Sequence, residues 1–106
     1  MQVTTEQQCQ FRHPGFGPVG RWYGVCDDGL ATGRGYGLIM NERGDTVEYL
    51  GESNKGLAQG SGGMIIQKSG QVGATYFEGG FSSGLPDGVV RVETLGQQPR
   101  LRTYKN

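Results

Sequence analysis

The chain lacks an apolar run long enough to cross a membrane as a helix, which takes about 20 consecutive apolar residues. Its N-terminal stretch, MQVTTEQQCQ, is polar and carries no signal-peptide core. Neither sign of charge is in excess. Ten acidic residues cancel ten basic ones, so no overall field draws the chain to nucleic acid or to an anionic membrane. Histidine occurs once and cysteine twice. That leaves only three ligands of the kind structural zinc takes, with no C-x2-C pair, so no metal site is expected. Only 34% of the 106 residues are apolar, too few for a thick two-layer core. No stretch shows a helical period.

What the chain has in quantity is glycine, 21 residues in all, roughly three times the average share. Without collagen's strict triplet, such an excess means turns or disorder. Disorder and a flexible linker are disfavoured here. Aromatic residues are spread along the chain, and apolar runs such as YGLIM and GGMII sit between the glycines. The length suits one small domain.

The glycines recur in order. WYGVCDDGLATGRG (22–35), YLGESNKGLAQGSG (49–62) and FEGGFSSGLPDGVV (77–90) superpose as an aromatic, one residue, Gly, four residues, Gly, three residues, Gly. The fixed positions are Trp22, Gly24, Gly29 and Gly33, then Tyr49, Gly51, Gly56 and Gly60, then Phe77, Gly79, Gly84 and Gly88. A further glycine, Gly35 or Gly62, closes the first two copies, and Val90 stands there in the third. A leucine follows the second glycine each time, at Leu30, Leu57 and Leu85. Between the signatures lie β-branched and aromatic runs with reversals at NERGD, KSG and LGQQP. Each unit therefore reads as a β-hairpin.

The pattern Y-x-G-x4-G-x3-G-x-G resembles the MORN repeat, and the second copy matches it at every fixed position. The likeness runs from Trp22 to about Tyr104. It implies an all-β fold, an elongated single sheet of stacked antiparallel hairpins. Residues 1–21 are then an N-terminal extension or cap, and residues 22–106 hold three repeats with a C-terminal cap, in one domain overall. It also implies scaffolding, membrane-associated or enzyme-appended roles.

Stacked hairpins bury apolar side chains between successive units. Trp22, Tyr49 and Phe77, with Leu30, Leu57 and Leu85, are expected in that core. The glycines at 56 and 60, and their equivalents, are expected where positive φ or close backbone approach is needed. Val90 and the basic strand RLRTYK suggest a terminal cap whose charges discourage edge pairing.

Catalytic chemistry finds little support. GRGYG and QGSGG are followed by strands and by no Lys-Ser/Thr pair, so they are not phosphate loops. His13 reads as a surface or capping residue in an irregular segment. A nucleophile pair with Cys9 or Cys26 lacks a spaced third member. Cys9 and Cys26 fit either a disulfide tying the extension to the first repeat or two reduced thiols in a cytosolic protein. A bonded pair would point to an extracytoplasmic compartment. Asp27 and Asp28 sit at a turn, and RGD (43–45) falls in a charged hairpin tip.

The expectation is a non-catalytic interaction module without cofactor or nucleic acid, binding another protein or itself. Tyr23, Tyr36, Tyr76 and Phe81 are the candidate interaction surface, being the aromatics the core explains least. The alternatives are a membrane-lipid binder and an accessory domain of an enzyme.

Overall fold

A computed structural model describes residues 9–105. Every regular element in it is a strand: β1 (Gln10–His13), β2 (Phe16–Asp27), β3 (Leu30–Met40), β4 (Thr46–Asn54), β5 (Leu57–Gln67), β6 (Thr75–Ser82), β7 (Leu85–Pro86), β8 (Gly88–Thr94) and β9 (Arg100–Tyr104). They form one antiparallel sheet in the order β1-β2-β3-β4-β5-β6-β8-β9, with β7 paired to β6. The all-β, hairpin-stacked sheet expected from the sequence is what the chain builds.

Two kinds of turn alternate. The signature turns Asp28–Gly29, Lys55–Gly56 and Ser83–Gly84 are two-residue connections with positive φ at both positions. That is the twist a tight β-hairpin favours, and glycine adopts it without a Cβ penalty. Longer reversals at the other end join β3 to β4, β5 to β6 and β8 to β9. At the first of these, the Asn41 side-chain oxygen accepts from the amides of Arg43 and Asp45, and Asn41 donates to the Asp45 carboxylate. Asp45 also accepts from the Ser69 amide at 2.7 Å, tying this reversal to the next.

Alternation gives the sheet two faces. The inward face carries the row Trp22, Gly37, Tyr49, Met64, Phe77 and Val92 across six strands. Beside it runs a row of glycines in register: Gly24, Gly35, Gly51, Gly62 and Gly79. Trp22 and Tyr49 lie flat over these bare positions. A methyl group on Gly35 would sit 2.5 Å from the Trp22 ring, and one on Gly62 would collide with the Tyr49 ring. Aromatic side chains thus cover glycines that have none of their own. The Tyr49 hydroxyl donates to the Glu52 carbonyl at 2.5 Å, and burial pushes its pKa up to about 12.

Several expectations need correction. The segment around His13, expected to be irregular, is regular strand on both sides of the Pro14–Gly15 turn. Residues 16–21 belong to the long strand β2, and β1 pairs antiparallel with it and then crosses to meet β3 and β5. Phe11 on β1 is fully buried, stacked on Trp22 at 5.3 Å and on Tyr49 at 5.5 Å. His13 is buried rather than on the surface, and its Nδ1 accepts from the Gly15 amide at 2.9 Å. Phe77 is only half-buried. Where Val90 replaces the closing glycine there is no bare position for Phe77 to cover, and Val90 fills the space itself. Leu30 and Leu57 are half-buried, and Leu85 is exposed because β7 is a short pair of residues just past a turn.

Candidate functional site

The outward face of the sheet holds the unexplained apolar surface. A register row runs Tyr23, Tyr36, Leu50, Gly63, Glu78, Arg91 and Leu101 from β2 to β9. The next row runs Arg21, Leu38, Glu48, Ile65, Tyr76 and Glu93. Their meeting forms a shallow groove of about 640 Å³ over β3 to β6. Tyr36 and Leu50 wall one side, Tyr76 and Ile65 the other, and Gly62 and Gly63 form the floor.

The floor is low because Gly63 presents no side chain outward. A methyl group there would stand 2.8 Å from the Tyr76 hydroxyl. Leu50 is 67% exposed and Tyr23 55% exposed, a large apolar area for a half-solvated sheet. Tyr23 and Tyr36 pack together with ring centroids 6.0 Å apart.

The rim is charged with both signs. Glu48 lies beside the Tyr36 hydroxyl. Desolvation first, and that carboxylate second, raise the Tyr36 pKa above its ordinary value. Tyr76 is raised by desolvation, then by Glu78 and Glu93. A phenol is neutral at about pH 7 at its ordinary pKa, so both hydroxyls are present as hydrogen-bonding groups. Arg34 reaches Glu52 at 4.0 Å, and Arg91 pairs with Glu93 at 2.7 Å. Apolar walls, neutral phenols and separated charges suit an extended chain with alternating side chains.

Three of the four residues proposed from the sequence, Tyr23, Tyr36 and Tyr76, share this face. The fourth does not. Phe81 is 3% exposed and meets Tyr49 edge-on at 5.3 Å, so it belongs to the core. It stands four positions beyond Phe77, and strand alternation puts both on one face. Leu50 and Ile65 went unremarked in the sequence, yet each neighbours an inward residue, Tyr49 or Met64, which places it outward.

The other sequence candidates are occupied elsewhere. Cys9 and Cys26 are joined in a disulfide with Cα atoms 5.7 Å apart. The RGD tripeptide is not displayed for adhesion, since Asp45 is buried and its carboxylate accepts from Asn41 and Ser69. Asp28 occupies a signature turn at positive φ, and Asp27 ends β2 just before it. No cluster of His, Cys, Asp and Glu that could hold a metal occurs among the described residues. Comparison with family models, with curated proteins and with solved structures finds no match to this chain.

Proposed function

We propose that the chain is a MORN-like repeat module whose outward groove binds an extended segment of another protein. The observation that carries this reading is the convergence of Tyr36, Leu50, Ile65 and Tyr76 over a glycine floor. Four strands each supply one apolar wall residue, and none is needed for the core, which lies on the other face. Aromatic residues on a rigid sheet give large contact area at little entropic cost.

Membrane-lipid binding is the weaker reading for this face. Glu48 and Glu78 line the groove, and basic side chains do not cluster there.

Selection of displayed random peptides tests the proposal. The intact chain should enrich a family of related sequences. Leu50→Glu, whose side chain points to solvent, should melt at the same temperature and lose that enrichment. Equal enrichment by the variant removes the groove as the contact surface, and pelleting with anionic vesicles in place of peptide capture favours the lipid reading.

A further inference from the structure

The inward face carries a second feature that the groove does not use. β1 lies across the stacked repeats and meets a new signature turn every second residue. The Gln10 amide donates to the Gly29 carbonyl at 2.9 Å, and the Arg12 amide donates to the Gly56 carbonyl at 2.8 Å. Pro14 then stands against Gly84, whose methyl derivative would meet the proline ring at 2.6 Å. Proline has no amide hydrogen, so the ladder of donated bonds stops there. Between the first two steps, Phe11 drops into a slot formed by Trp22, Tyr49 and bare Gly37.

The signature turns therefore form a track that receives an extended strand. The track has a backbone acceptor at each of the first two turns and one aromatic slot between them. β1 occupies it in cis, held at its start by the Cys9–Cys26 disulfide. Strand addition of this kind takes its affinity from main-chain bonds and its specificity from the side-chain slot. Any strand that reproduces Phe11 and the two free amides fits equally well, and β1 of a second copy does so by construction.

We propose that the disulfide is a latch on this track, and that reduction lets two copies exchange their β1 strands. The chemistry is thiol–disulfide exchange. A dithiol reductant gives two electrons and two protons, the Cys9–Cys26 bond opens to two thiols, and the reductant becomes a disulfide. The closed loop spans a sequence separation of 17 residues, and opening it makes release of β1 easier by roughly a hundredfold. Phe11 and the backbone bonds still favour an occupied track, so the vacated position is refilled rather than left bare. The short Pro14–Gly15 connection between β1 and β2 is the hinge.

Two single-cysteine chains test this. Cys9→Ser keeps only the track's thiol at Cys26, and Cys26→Ser keeps only the strand's thiol at Cys9. They are mixed and then oxidised by a small-molecule disulfide, which is reduced to thiols as the protein bond forms. Exchange seats the strand of one chain on the track of the other and sets Cys9 beside Cys26. The mixed 9–26 disulfide should exceed the share that random pairing gives, and Phe11→Ala in the strand-bearing chain should bring it back to that share. A random share of the three pairings, or indifference to Phe11→Ala, overturns the proposal. Loss of the β-sheet circular dichroism signal in either single-cysteine chain overturns it as well, because the track must survive reduction.

Discussion

The smallest unit that explains this fold is an aromatic ring laid on a glycine. Tyr49 covers Gly62, Trp22 covers Gly35, and Phe11 covers Gly37. A ring of this size brings a large apolar payload, and the missing Cβ lets it lie against the sheet. The pairing makes an asymmetric prediction. Gly62→Ala should cost about 1–3 kcal/mol in thermal or denaturant unfolding, since the added methyl collides with a buried ring that cannot withdraw. Gly17→Ala lies on β2 with nothing within 4 Å of the new methyl and should shift stability by no more than about 1 kcal/mol. Equal losses at the two sites would show that glycine here serves chain flexibility and not ring packing. Trp22 and Tyr49 were legible in the sequence as core because they recur at one place in a repeated pattern. Phe11 was not, because it occurs once, outside the repeats, and only the path of β1 brings it between the other two rings.

At the scale of the element, β1 shows what pattern reading cannot reach. Hairpin positions and reversals follow from glycine spacing and strand alternation, both local properties. The docking of β1 rests on bonds to Gly29 and Gly56, which are distant in sequence and carry no mark of their role. The same strand gives the molecule a pH response. His13 at its end is buried, and burial first, with the nearby Lys68 charge second, lowers its pKa below the ordinary 6.5. The side chain also meets the Phe16 ring edge-on at 5.4 Å, and Lys68 lies over that ring. The folded chain thus resists a proton that unfolded His13 accepts near 6.5. Stability should be flat above that value and fall as pH drops below it. Melting temperature should decline as pH falls below about 6.5, and His13→Gln should flatten the decline. Asp45 does not confuse the measurement, because its bonds from Asn41 and Ser69 hold its carboxyl below the ordinary carboxylate range. A decline that persists in His13→Gln would place the titration elsewhere.

The whole molecule is elongated, 49 × 29 × 21 Å, and its two ends differ. At one end β1 folds over the inward face and the disulfide fixes it. At the other, β9 pairs only with β8 among the described strands, and all its residues but Tyr104 are exposed. Protection should follow this gradient. Amide hydrogens of β9 should exchange at least about a hundredfold faster than those of Val47, Tyr49 and Gly51 in β4, which have neighbours on both sides. Uniform protection would mean that the sheet opens only as one unit. The rhythm of β1 has a geometric consequence for the array. Two residues of extended chain advance at most about 6.8 Å, whereas turns separated by two strand spacings on a flat sheet lie about 9.5 Å apart. Successive signature turns also bond each other directly, Gly56 to Ala31 and Gly84 to Ala58. The turn end of each hairpin is therefore narrower than its middle, and the repeats stack as wedges. Each further repeat of this kind would add bend as well as length, so the radius of the resulting arc is already written in the two-residue stride of the strand that spans it.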